Sequence, residues 1–236
     1  MFAFTSLGGK VDRSENNGIG PYVFRLNGQN YHRIGSLLPI EGEKPTFAQL
    51  YNYDTDNEIG HRIDIVIKKY KKNDVDPDIA VGLLEMLDNC NELVKAFRMA
   101  RDRFTEFEMR NVKIRLIGTR NPNGRQYNLP TSSKVVAVIV GDFNVKSSNH
   151  DIIIENKSSR LQRISELHPS FMSLQYPLLF PYGEDGFMKN ISYISNGEGK
   201  VRKGGAITMR EYYAFRLQQR ANEGQTLILV GRSFQH

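Results

Sequence analysis

The sequence predicts an α+β fold: a mixed or antiparallel sheet with an N-terminal hairpin, one long amphipathic helix over about 76–104, and a C-terminal basic helix over about 208–221. Three observations lead there. Asn27-Gly28 sits between two alternating runs, apolar residues recur every three or four positions after Asp76, and short β-branched runs return after Val112.

Taken in order, Tyr22 to Leu26 and Gln29 to Arg33 flank Asn27-Gly28. A two-residue type I′ turn needs positive φ at both positions, which Asn and Gly tolerate, so the pair predicts a hairpin with Phe24 opposite Tyr31. After a turn from Pro39 to Pro45, a short strand is expected over Phe47 to Tyr53 and a helix over Glu58 to Lys69. The cations from Lys68 to Lys72 close that helix, where they suit its dipole. Asp76 as N-cap and Pro77 at the first helical position open the next one. Ile79, Leu83, Leu87, Cys90, Val94 and Phe97 form its apolar stripe, continuing towards Phe104.

Strands are expected over Val112 to Gly118, Val135 to Gly141 and Asp151 to Glu155, with a polar loop at 120–130. Pro169, Pro177 and Pro181 interrupt an aromatic stretch over 161–187, which reads as a short helix and a largely buried loop. Thr208 and Glu211 have the capping-box spacing that starts the last helix. There is no tandem repeat and no long Gly/Ser linker.

Composition sets bounds on function. With 39% hydrophobic and 25% charged residues, the chain is far from the signature of disorder. Its longest apolar runs fall short of the roughly 18–20 residues that span a bilayer, so no membrane association is expected. The N-terminus lacks a basic region followed by an apolar core, and nothing there marks secretion. The single cysteine, Cys90, excludes an internal disulfide and a multi-cysteine zinc site. The net charge of +6 is uneven: residues 189–236 hold 8 Lys/Arg against 3 Asp/Glu, leaving 24 against 23 before them.

The motifs of common catalytic centres are missing. Gly8-Gly9-Lys10 lacks the upstream glycine and following Ser/Thr of a phosphate-binding loop, so ATP hydrolysis is not expected. The histidines at 32, 61, 150, 168 and 236 never take a spacing that puts two on one metal, and no cofactor is expected. Asp74, Asp76, Asp78 and Glu85 match four positions of a calcium loop, but Ile79 stands where the sharp turn needs Gly. Capping of the helix at Pro77 explains those acids better. Tyr212 and Tyr213 invite comparison with nucleophilic tyrosines. Neighbouring helical residues diverge by about 100°, and packing is the expected role of both.

One nucleic-acid feature remains, the basic set Lys200, Arg202, Lys203, Arg210, Arg216 and Arg220. Arg216 and Arg220, one helical turn apart, would grip phosphates from one face, with Tyr212, Tyr213 and Phe215 nearby as stacking platforms for single-stranded DNA. A solvated helix with a buried aromatic face is the alternative.

The string Leu161-Gln-Arg-Ile-Ser-Glu-Leu-His-Pro-Ser-Phe-Met-Ser-Leu-Gln-Tyr-Pro-Leu-Leu-Phe-Pro-Tyr-Gly-Glu-Asp-Gly-Phe187 resembles the opening of the Helitron helicase-like N-terminal domain of plant transposable elements. Further strings match in collinear order: residues 2–12, 20–35, 49–54, 124–130 and 209–217. The resemblance divides the chain into an α+β region, 1–160, and a truncated start of that domain, 161–236. It implies a nuclear parent protein, a replication initiator and helicase that moves DNA by rolling-circle replication. In that family the nuclease histidines, tyrosine nucleophile and helicase phosphate loop lie downstream, so no catalytic residue carries over. The chain is thus expected to be a non-catalytic scaffold contacting single-stranded DNA and docking to the downstream nuclease and helicase domains. The alternative is a protein-interaction module for that nuclease with no DNA affinity of its own.

Overall fold

In a computed structural model of the chain, the residues described are 1–12, 14, 23, 25–27, 31–70, 75–106, 112–118, 136–140, 151–155, 161–192 and 205–218. They are mixed helix and strand with small antiparallel sheets, an α+β architecture. The chain forms two compact units, one of residues 1–8 and 31–186, the other of residues 9–30 and 187–236. Residues 161–186 thus belong to the same unit as most of the preceding region.

In the first unit, β1 (Ser6–Leu7), β4 (His32–Ile34) and β8 (Gln162–Ile164) form one antiparallel sheet with β4 central. A second has β5 (Val112–Leu116) between β6 (Val136–Val140) and β7 (Ile152–Glu155). Alternation decides which face of β5 is inside: Val112, Ile114 and Leu116 are buried, while Lys113 pairs with Glu155 at 3.1 Å and Arg115 pairs with Asp151. The three strands expected over these segments are present.

Among the described residues the pairing of the expected N-terminal hairpin is absent. Residues on the two sides of Asn27-Gly28 take different partners: β3 (Arg25–Asn27) pairs with β2 (Lys10–Asp12) in the second unit, and β4 pairs with β1 and β8 in the first. In the first unit β4 buries His32 and Ile34, and the His32 ring stacks on Phe171 at 3.8 Å. Phe24 lies outside the described residues, so its expected partnership with Tyr31 does too. Asp12 helps to hold the β2–β3 pair, accepting from Ser14 N at 3.0 Å and from Asn27 Nδ2 at 3.3 Å.

Phe47–Tyr51, expected as a strand, is a 3₁₀ helix. Gln49 makes the turn. Its Oε1 accepts from Thr46 N at 3.0 Å, and its Nε2 donates to Leu38 O at 3.1 Å. This tightening sends Ala48, Leu50 and Tyr51 inward together, where a strand would have put Tyr51 on the face opposite Ala48 and Leu50.

The helix expected from Glu58 is α1 (Glu58–Tyr70). The long helix expected over 76–104 is two: α2 (Pro77–Cys90) and α3 (Glu92–Glu106), separated by Asn91 in extended conformation. Asp76 caps α2 as expected, its side chain accepting from Asp78 N at 2.9 Å. The stripe also changes at its start. Ile79 is 62% exposed, and burial runs instead through Ala80 and Leu87. Leu93, Val94, Ala96, Phe97 and Ala100 of α3 are wholly buried, making it the central helix of the unit.

The segment over 161–187 gives the expected short helix, α4 (Phe171–Gln175), and the strand β8, which was not expected. Its tail, Phe180 to Gly183, docks on the α2–α3 junction.

Phe4 stacks on Tyr51 with ring centroids 4.4 Å apart and packs on Phe97 at 4.9 Å. The Tyr51 hydroxyl donates to Phe2 O at 2.6 Å. Burial, opposed by the Arg62 guanidinium and aided by Glu58, pushes the Tyr51 phenol up to about 12. The unfolded chain releases this proton near pH 10, the folded chain two units higher, so the linked stability is present below pH 10 and is lost between about pH 10 and 12. Urea midpoints should therefore show wild type losing about 1.4 kcal/mol per pH unit relative to Tyr51→Phe in that window. A constant difference between the two proteins would refute this assignment.

Candidate nucleic-acid interface

The basic set nominated by the sequence falls in the second unit. Its one helix among the described residues is α5 (Met209–Leu217). The capping box forms as expected: Thr208 Oγ1 accepts from Glu211 N at 3.2 Å, and Thr208 N donates to Glu211 Oε2 at 2.9 Å. An antiparallel bridge between Ser192 and Ala206, with Ile207 N donating to Ile191 O at 2.7 Å, ties the entry of the helix to the preceding chain.

Helical geometry divides the α5 side chains into two arcs. Arg210, Ala214 and Phe215 lie on an exposed arc, and Phe215 is 53% accessible. Met209, Tyr212, Tyr213 and Arg216 lie half-buried on the other side. Tyr212 meets the Phe187 ring edge-on at 6.0 Å and Tyr213 at 5.1 Å. Burial pushes the Tyr213 hydroxyl above its ordinary value, against the direction that activates a nucleophile. The two tyrosines therefore pack, and Phe215 is the exposed aromatic of the helix.

The structure separates the two cations of the set that it describes. Arg210 is exposed, whereas Arg216 reaches back to the Tyr212 hydroxyl at 3.5 Å. Six residues of helix place them about 120° apart. The helix expected to run to about 221 ends at Leu217, because Gln218 turns to extended backbone with ψ of 134°. Arg216 is the last cation of this helix among the described residues. Lys200, Arg202, Lys203 and Arg220 lie outside the described residues.

Other charged surfaces are less suited to an anion. The cleft lined by Glu58, Asp88, Lys95, Arg98, Arg101 and Asp102 is internally paired: Arg98 meets Glu58 at 2.7 Å and Asp88 at 3.0 Å, Lys95 meets Glu92 at 2.8 Å, and Arg101 meets Asp102 at 2.7 Å. Among the described residues no group of three or more His, Cys, Asp or Glu could hold a metal ion. No helix among them is long and apolar enough to cross a membrane.

Sequence reasoning passed over one cationic cluster. Arg33 on β4 lies directly across from Arg163 on β8, and both guanidiniums lie against the Tyr31 ring. No short motif reveals a pairing between strands so far apart in the chain.

Comparison with known proteins finds no family model, no curated protein and no solved structure that matches this chain.

Proposed function

We propose that the chain is the non-catalytic scaffold portion of a Helitron-type transposon protein, contacting single-stranded DNA while the intact parent nicks and unwinds DNA in the nucleus during rolling-circle transposition. The observation that carries this reading is the collinear run of matching strings from Phe2 to Leu217. The exposed arc of α5, with Arg210 at one edge and the exposed Phe215 at the other, supports the DNA contact, since single-strand binders combine a cation for the backbone with a ring for the base.

Binding of a labelled single-stranded oligonucleotide, measured by anisotropy between about 50 and 200 mM salt, tests it. Phe215→Ala should weaken binding by about 1–3 kcal/mol, the worth of one stacked base. Arg210→Ala should lower the salt slope by about 0.7, the value of one phosphate contact on a single strand. Arg216→Ala, on the other arc, should leave affinity within about twofold, a change worth under 0.5 kcal/mol. Absence of salt-dependent binding by the wild-type chain would sink the reading.

The same exposed Phe215 favours the second reading, docking to a downstream nuclease without DNA affinity. Among the aromatic residues of 171–187 and 212–215, Phe180 and Phe187 are buried, Phe171, Tyr176, Tyr212 and Tyr213 are half-buried, and Tyr182 and Phe215 are exposed. Complex formation with the nuclease, lost in Phe215→Ala and unaffected by DNA, would select it.

A further inference from the structure

The sheet β1–β4–β8 buries one face and opens the other. His32, Ile34 and Ile164 point inward, so strand alternation sends Tyr31, Arg33 and Arg163 to the opposite side. There Arg33 and Arg163 are direct cross-strand neighbours, a like-charge arrangement that costs stability. The Tyr31 ring offsets that cost. The Arg33 guanidinium lies 4.7 Å from its centroid and that of Arg163 4.8 Å, close enough for the ring's quadrupole to attract both. Arg33 also donates from Nη2 to the Tyr31 hydroxyl.

The ring itself is fixed. Gly8 N donates to Tyr31 O at 2.7 Å, and a Cβ on Gly8 would sit 2.3 Å from Tyr31 Cε2, so the ring rests against bare backbone. Two planar forks held by one immobile ring lose little rotamer freedom on meeting an oxyanion. Among the described residues Arg33 makes no ion pair, and its hydrogen bond to Tyr31 leaves most of its five N–H donors available. Arg163 is exposed and Arg33 half-buried, an open surface that suits a polymer backbone better than an enclosed small anion.

We propose that Arg33 and Arg163, positioned by Tyr31, form a phosphodiester-binding site for a single DNA strand on the open face of this sheet. The proposal rests on the reading of the chain as a DNA-contacting protein, and it adds a contact in the first unit that is independent of α5.

The test uses the full chain and the same labelled oligonucleotide. Arg33→Gln/Arg163→Gln should weaken binding about tenfold or more and lower the salt slope by about 1.4, two contacts at about 0.7 each. Arg163→Glu alone, at an exposed position, should weaken it as well. Arg33→Lys/Arg163→Lys keeps the charge but removes the forks, so it should retain the slope and lose part of the affinity.

If the sheet variants bind like wild type while Arg210→Ala/Phe215→Ala loses binding, the site proposed here is wrong and the DNA reading stands. If the wild-type chain does not bind, both fall. Displacement of the oligonucleotide by inorganic phosphate at constant ionic strength would mark a free-anion site and overturn the assignment to a strand.

Discussion

Replacing Glu58 with leucine should destabilise the first unit by roughly 3–5 kcal/mol, the cost of leaving a buried charge without its partner. Glu58 is 2% exposed and stands between two guanidiniums. Its Oε1 accepts from Arg62 Nε at 2.8 Å and from Nη2 at 2.5 Å, and its Oε2 faces Arg98 Nη2 at 2.7 Å. Arg98 keeps a second acid in Asp88, at 3.0 Å, but Arg62 is fully buried, and among the described residues its hydrogen-bond acceptor besides Glu58 is the Met1 carbonyl, at 2.6 Å. Its guanidinium also lies 4.3 Å from the Tyr51 centroid and 5.1 Å from that of Phe2, contacts that lower the cost of its burial without neutralising it.

This asymmetry makes the prediction specific. Glu58→Leu strands a charge, whereas Glu58→Leu/Arg62→Met removes both members and should recover much of the loss, giving a large coupling term in a double-mutant cycle. The chain has no Trp, so urea midpoints are best followed by far-ultraviolet circular dichroism. Additive single losses would show that the two side chains stabilise the fold independently.

What could be read from the sequence was what neighbouring residues settle among themselves. The caps at Asp76 and Thr208 act within three residues, and both are where their spacing puts them. The alternation of Val112, Ile114 and Leu116 needs only one buried face, and β5 follows it. The Asn27-Gly28 hairpin failed for a non-local reason: β3 has β2 as its partner, and β4 lies between β1 and a strand contributed by residues 162–164. No local signal specifies those partners. For the same reason the basic composition of the C-terminal fifth was visible while its geometry was not. The run Gln218-Gln219-Arg220-Ala221 consists of good helix formers, yet the backbone leaves the helix at Gln218. Arg33 and Arg163 meet only because β4 and β8 pair, so their juxtaposition is tertiary information.

Asn91→Ala should cost about 1–3 kcal/mol, because one buried side chain serves three elements and its loss removes a cap together with a buried hydrogen bond to the loop after α4. Its Oδ1 accepts from Leu93 N at 3.0 Å and Val94 N at 3.2 Å, satisfying the first free N–H groups of α3. Its own N–H closes α2 on Leu87 O at 2.8 Å, and its Nδ2 donates to Phe180 O at 3.2 Å. At the same junction Glu92 N donates to Tyr182 O at 3.2 Å, and Gly183, with φ of +70°, passes so close that a Cβ would lie 3.0 Å from Asn91 Oδ1. The side chain thus ends one helix, starts the next and anchors the loop after α4. Asn91→Asp separates these roles: it keeps the acceptor where the positive end of α3 favours it and loses the donor to Phe180, so its loss should be smaller than that of Ala. A loss for Asn91→Ala within about 0.5 kcal/mol, the range of an ordinary surface change, would mean that the packing of Leu93 and Phe97 sets the break between α2 and α3 and that the Asn91 amide merely occupies it.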